Sequence, residues 1–409
     1  MAKIPSIVGL ELRDRHFVMA VGIAPDRDRL IVQALDTIPA RGIERGVLTD
    51  PVECTDTVAR LVRQVEKNID AKITHAFVAL HGSHLKSTTV SAIIPIPDPN
   101  VGISRRDVER AVTHCKTISL EYDRQILHAF ERGFSVDGQS GIKDPVGLSG
   151  TRLGIDLHLI TAQTLAVQNL TKVLHRAGIE VGEYVFPPLA TAGAVLADLD
   201  RDLGVTLISI DEFQTTTAIF TDGAVRETLI LPWGMDYIAE ALSRSLKLPR
   251  AAVDQLLDQL KTLEERPERS AVSLQVKAGS IQRSFPQAEV IQLVVPKIKE
   301  LLSRIKRRLD ECPFFQESAA GITMNGPLAS LEGFLETAEG ILNMPVRLGT
   351  PRDVEVEPQV SLNRMHTTAV GLLHYAVKRR VVPAPAIPSG GPPWVVWVER
   401  TRKLLEEYF

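Results

Sequence analysis

The chain has 409 residues, 44% of them hydrophobic and 24% charged, with a formal net charge of -3. That length exceeds what one hydrophobic core usually supports, so two or more lobes are expected, in a folded rather than a disordered protein. The near-neutral balance gives no pull toward nucleic acid, the three scattered cysteines Cys54, Cys115 and Cys312 make no disulfide framework, and no apolar run reaches the roughly 18 residues of a membrane span.

In chain order, the start MAKIPSIVGLEL lacks the basic segment and apolar run of a signal peptide, so a cytoplasmic location is expected. Ser6 to Val21 and Leu30 to Thr37 read as paired strands around the polar turn Pro25-Asp26-Arg27-Asp28. Asp50 to Asp70 places Val58, Leu61, Val62, Val65 and Ile69 at helical spacing, and His75 to Leu80 is a further strand. From Ser83 to Gly154 the texture changes, with one clear helix that Ser104 caps and Asp107 supports; this reads as an inserted subdomain. Leu157 to Thr161 then returns to strand, and Leu165 to Ala177 is a helix ended by Gly178.

The second half starts over. LISIDEFQTTTAIF, Leu207 to Phe220, is a strand, an acidic turn and a second strand, followed around Asp222-Gly223 by Ala224 to Ile230. Helices are expected at Asp236 to Leu246 and Arg250 to Leu263, then a polar stretch to about Ser284. Glu289 to Leu309 is a long helix with Ile291, Val294, Val295, Ile298, Leu301, Leu302, Ile305 and Leu309 on one face, and Pro296 marks either a kink or its start. Two lobes of this kind predict a duplicated α/β architecture with a cleft between them. The basic run Lys297 to Arg308 reads first as a solvated helix face and second as a surface for an acidic peptide. His81 and His84 read as loop histidines rather than metal ligands, and no Ser-His-Asp or Cys-His set can be assembled.

At the end, VVPAPAIPSGGPP is a semi-extended linker. Beyond it Trp394, Trp397, Val398, Leu404, Leu405 and Tyr408 share one helical face, with Glu399, Arg400, Arg402, Lys403, Glu406 and Glu407 on the other. A spacer followed by a helix that carries two tryptophans at its entry predicts an interfacial membrane anchor that depends on apolar insertion.

ARGIERGVLTD (Ala40 to Asp50), GIKDPVGLSGTRLGIDLHLIT (Gly141 to Thr161) and TTAVGLLHY (Thr367 to Tyr375) resemble the FtsA family, actin-like proteins that tether the bacterial division ring to the membrane. The resemblance runs through nearly the whole chain and implies a two-lobe actin-like (ribonuclease H-like) α/β fold with an FtsA-type inserted subdomain. The implied divisions are 1–81 and 158–202 for the first lobe, 82–157 for the insert, 203–235 and 313–380 for the core of the second lobe, and 236–312 for its outer subdomain. Residues 381–393 are then the linker and 394–409 the membrane helix.

The nucleotide motifs depart from the family. Its first phosphate loop reads roughly GLDIGTSKV, where Gly9 to Phe17 here is GLELRDRHF, so Glu11 stands in that loop and Arg13 and Asp14 replace the glycine and the hydroxyl beside it. Its second loop is close to VDIGGGTTD, where Ile208 to Thr216 is ISIDEFQTT. Ser209 stands for a magnesium-side aspartate, Asp211, Glu212 and Phe213 for three glycines, and Gln214 follows them. The third motif keeps Gly326 and puts Pro327 in place of a second glycine. This set predicts a vestigial cleft, no cofactor and no catalysis, with ATP and magnesium expected only if the altered loops still work. Arg13 is expected to pair with Asp211 or Glu212 across the cleft. The resemblance further implies the FtsZ C-terminal peptide as partner on the second lobe, with Lys297, Lys299 and Arg304 as candidates and Val294 where the family often carries a basic residue. It also implies head-to-tail filaments, contacts of the insert with later division proteins, and a place on the inner membrane face at the septum. Alternatives are an ATPase of the same family and a PilM-like pilus adaptor.

Overall fold

The computed structural model describes residues 6–26, 29–264, 273–278 and 281–379; the expected linker and C-terminal helix lie outside them. Strand β1 (Ile7–Leu12) is buried along its whole length and pairs antiparallel with β2 (His16–Ile23), Leu12 facing Phe17. Where the sequence suggests one strand from Ser6 to Val21, the chain therefore reverses at Arg13-Asp14-Arg15. Strand β3 (Leu30–Pro39) pairs with β2, and a short hairpin follows, β4 (Ile43–Glu44) with β5 (Val47–Leu48). Helix α1 (Pro51–Ile69) starts where the Asp50 carboxylate accepts from the amides of Val52 and Glu53, and it buries Val58, Leu61, Val62 and Val65. Strand β6 (His75–Ala79) joins β1 in parallel.

The insert comprises β7 (Leu85–Pro95), α2 (Arg105–Ser119), β8 (Arg124–Val136), β9 (Gln139–Ile142) and β10 (Arg152–Gln163), with sheet order β7-β10-β8-β9. Ser104 and Asp107 form a reciprocal capping box on α2. His158 to Thr161, expected in the first lobe, belong to the second half of β10. That strand pairs with β7 without a break from Arg152 to Ala162, so a boundary at residue 157 would cut a continuous ladder. Helix α3 (Thr164–Arg176), β11 (Glu180–Val185), α4 (Pro187–Val195) and α5 (Asp198–Leu203) lead to the second lobe.

There β12 (Val205–Ile210), β13 (Thr215–Thr221) and β14 (Ala224–Leu231) form a meander. After it come α6 (Met235–Leu246), α7 (Arg250–Gln259), the hairpin β15 (Ser273–Ala278) with β16 (Ile281–Pro286), and α8 (Gln287–Asp310). Strand β17 (Ile322–Asn325), α9 (Phe334–Leu342) and β18 (Val346–Leu348) complete the sheet β14-β13-β12-β17-β18. The expected polar stretch thus contains a hairpin that buries Leu274, Val276 and Phe285, and α7 stops at Gln259 rather than Leu263. Helix α8 neither begins nor ends at Pro296 but runs through it.

The chain then returns to the first lobe. Strand β19 (Val354–Val356) pairs in parallel with β3, giving the sheet β11-β6-β1-β2-β3-β19. Helix α10 (Thr367–Arg379) buries Ala369, Val370, Leu373 and Ala376 with Ile7, Val18, Ala20, Leu30 and Val32. Assigning all of 313–380 to the second lobe is therefore corrected: 354–379 close the core of the first. The insert also touches the second lobe. His158 Nε2 accepts from the Thr228 amide at 3.0 Å, Arg132 pairs with Glu227 at 3.3 Å, and Arg226 donates to the carbonyls of Glu131 and Arg132.

Candidate functional site: the cleft between the two hairpin turns

The β1–β2 turn and the β12–β13 turn face each other across the lobes. Each is held by its own backbone. In the second, the Asp211 amide donates to Gln214 O at 2.9 Å, and the carbonyls of Asp211 and Glu212 accept from the amides of Met235 and Asp236 at 2.9 and 2.6 Å. Helix α6 has no side-chain cap at Gly234, so these carbonyls satisfy its first donors. A Cβ at Gly234 would lie 2.4 Å from Asp211 O, so only glycine fits beneath the turn. In the first, the Asp14 carboxylate accepts from the Gly46 amide at 2.8 Å and ties the turn to the β4–β5 loop.

Arg13 closes the gap. Its guanidinium donates to the Asp211 carboxylate, and its Nε lies 3.4 Å from Glu11 Oε1. Glu11 is fully buried, and the same oxygen is 3.2 Å from His81 Nε2. Burial pushes the Glu11 carboxyl up, but Arg13, His81 and a hydrogen bond to Thr368 outweigh it and leave it below the ordinary range. Burial also works against the charge of Arg13, yet Glu11, Asp211 and Glu212 hold it firmly protonated. Asp14 goes the other way, raised first by burial despite its bond to Gly46. A string of acid, cation and acid thus runs from the floor of one lobe to the lip of the other.

The remaining cleft residues have plainer places. Ser209 is buried and 3.5 Å from Asn325 Nδ2; Phe213 is half-buried; Gln214 is buried, and its Nε2 has no hydrogen-bond partner. Gly326 has φ +105°, and a Cβ there would sit 2.2 Å from Ile210 O, so the glycine is required by close backbone packing whether or not a ligand binds. Pro327 opens a short 3-10 turn after it. His81 and Thr368 complete the cluster, although their positions in the sequence give no hint of it. Among the described residues no group of three His, Cys, Asp or Glu side chains could hold a metal ion.

The second-lobe candidates divide. Lys297 and Arg304 share one outward face of α8, each bonded to Glu300 at 2.9 Å. Lys299 is exposed but belongs to another face, with no recorded tie to this group. Val294 is fully buried in the lobe's core, where an apolar side chain belongs and no partner can reach it, so it is removed from the partner surface. Trp394, Trp397, Val398, Leu404, Leu405 and Tyr408 lie outside the described residues.

Two lobes on related sheets, with an additional subdomain in the first, define an actin-like protein. Structural comparison agrees: the chain superposes on the PilM–PilN type IV pilus biogenesis complex with a TM-score of 0.64 at 14% identity, covering 92% of this chain and 99% of that one. It superposes on MreB5 of Spiroplasma citri bound to ADP with a TM-score of 0.54 at 9% identity, covering 92% and 98%. Residues 82–161 match the SHS2 domain inserted in FtsA, and residues 207–371 match the cell division protein FtsA. The chain is 30% identical over 373 residues to cell division protein FtsA of Neisseria meningitidis, covering 90% of this chain and 89% of that protein. For the Pseudomonas aeruginosa protein of the same name the identity is 29% over 378 residues, covering 91% and 90%. The chain belongs to the FtsA family of cell division proteins.

Proposed function

We propose that this chain is a nucleotide-independent FtsA that links the FtsZ ring to the inner face of the cytoplasmic membrane. The observation that carries the first part is the Arg13 bridge. Where the family places phosphates and a metal, this chain places its own guanidinium between Glu11 and Asp211. ATP and magnesium do not fit this residue set. Each carboxylate facing a triphosphate at about 4 Å costs on the order of a few kcal/mol at an effective dielectric near 20. The side chains of Arg13, Asp211 and Phe213 also stand where backbone amides would have to approach the oxygens.

The ion pair does what a bound nucleotide does in a two-lobed protein: it gives the lobes a reason to stay together. Partner binding then falls to surfaces. Lys297 and Arg304 on α8 offer the cationic face for the acidic FtsZ tail, and the tryptophans of 394–409 offer the lipid contact. Among the described residues no helix is long and apolar enough to cross a membrane. Filament formation on lipid follows with or without ATP.

The deciding experiment is thermal unfolding of the full chain with millimolar ATP and magnesium. Ligand at 100 times its Kd stabilises a binder by roughly 2.7 kcal/mol, so a shift of several degrees overturns the nucleotide-independent reading and no shift supports it. Liposome flotation tests the anchor. Trp397→Asp, or truncation after Pro393, is expected to abolish flotation, while raised salt weakens it only slightly because the tail's charges cancel.

A further inference from the structure

On the outer face of α8, Lys297, Glu300 and Arg304 stand at helical spacing. Glu300 Oε2 accepts from Lys297 Nζ and Glu300 Oε1 accepts from Arg304 Nη2, both at 2.9 Å. The Tyr237 ring lies 4.9 Å from the Arg304 guanidinium carbon and 5.8 Å from Lys297 Nζ. Trp233, from the segment leading into α6, brings a second ring to 5.7 Å from Arg304. Two cations and two aromatic rings therefore converge on one carboxylate. The recorded ion pairs of Lys297 and Arg304 both go to Glu300.

We propose that Glu300 is a built-in occupant of the peptide site, holding the place that a carboxylate of an acidic partner peptide takes when it binds. This rests on the reading above that Lys297 and Arg304 receive the acidic FtsZ tail. The rings and cations are what a carboxylate-bearing peptide with apolar neighbours needs, and Glu300 already satisfies the cations from within. All three charged side chains are between 35% and 39% exposed, so Glu300 can swing into water while the rings and the helix stay in place. An incoming carboxylate must compete with it, which lowers affinity and admits only ligands whose charge outcompetes an intrahelical pair. Such pairs are weak at partial exposure, so the gate is a low one.

The test uses the full chain and two fluorescent peptides, the C-terminal peptide of FtsZ from the same organism and a copy with every Asp and Glu replaced by its amide. Anisotropy is read at low and at physiological salt. Glu300→Gln keeps size and polarity on an exposed helix face, and melting temperature checks its fold. The expected result is roughly threefold to tenfold tighter binding of the acidic peptide to Glu300→Gln, a steeper salt dependence, and no gain for the amide peptide. Equal or weaker binding by Glu300→Gln, while Arg304→Ala weakens binding, overturns the proposal and leaves the site standing, because Glu300 would then only orient Arg304. No effect of Arg304→Ala and Lys297→Ala overturns the site itself, and the proposal with it.

Discussion

Arg13 is the residue on which the most depends. Its side chain is 11% exposed and that of Asp211 4%, so Arg13→Ala leaves buried carboxylates without their cation. Breaking a buried pair from one side costs about 3 to 5 kcal/mol, which urea unfolding will show, and adding Asp211→Asn on top should cost far less than it does alone. Three histidines contribute strongly to the response to acid, and His16, His366 and His374, also lowered by burial, act in the same sense. His84, His128 and His158 are buried, with pKa values pushed down to about 4, about 3 and about 4 by burial first, then by Arg124 and His81, by Arg379 and by Arg132. The folded values lie below the ordinary one near 6.5, so the unfolded chain takes up protons first as pH falls. Their stability contribution is intact above about pH 6.5 and declines toward pH 4, by about 2 kcal/mol per histidine at pH 5. Asp14, Glu131 and Glu227, raised by burial, act in the opposite sense and blunt the fall. Melting temperature measured from pH 7 to pH 5 should drop, and His158→Gln should remove that residue's share of the slope. The meeting of Arg13 and Asp211 was legible because two aligned loops had changed to opposite charges. His81 and Thr368 were not, because a strand end and a distant helix reach Glu11 only once the lobe has closed.

At the scale of elements, the helices were the easier part. Asp50, Ser104 and Gly178 mark ends that the structure keeps, and Asp50→Ala should cost about 1 kcal/mol in thermal unfolding because two amide donors lose their acceptor. Strands misled where both faces are covered. Apart from the buried Glu11 and the terminal His16, β1 and β2 are apolar, so no alternation shows where one ends, and the turn between them carries Arg, Asp and Arg rather than Gly or Pro. The β15–β16 hairpin failed for the opposite reason: its outward face is so polar that the buried Leu274, Val276 and Phe285 read as isolated residues in a loop. Pro296 sits exposed inside α8, leaving the Gln292 carbonyl without its usual donor. Pro296→Ala restores that donor and should raise stability by roughly 1 to 3 kcal/mol in urea unfolding.

For the whole molecule, chain order is a poor guide to which residues share a core. Residues 354–379 follow the second lobe in sequence but close the first, through β19 beside β3 and α10 against β1 and α4. Local periodicity marks α10 as a helix yet cannot say which sheet it covers, since strand pairing across hundreds of residues leaves no local trace. A chain stopped at residue 350 would expose Ile7, Val18, Ala20 and Val32, and its unfolding followed by circular dichroism should lose cooperativity in the first lobe while the second still melts as a unit. This return has a mechanical consequence. Anything that tugs on the chain beyond Arg379 pulls on α10, whose neighbours are the first-lobe sheet and α4, and tension therefore enters the first lobe before it reaches the Arg13–Asp211 contact. A tether attached after Arg379 loads α10 first, so the last described helix is the mechanical fuse of the molecule, and its lifting would draw Thr368 away from Glu11 before Arg13 parts from Asp211.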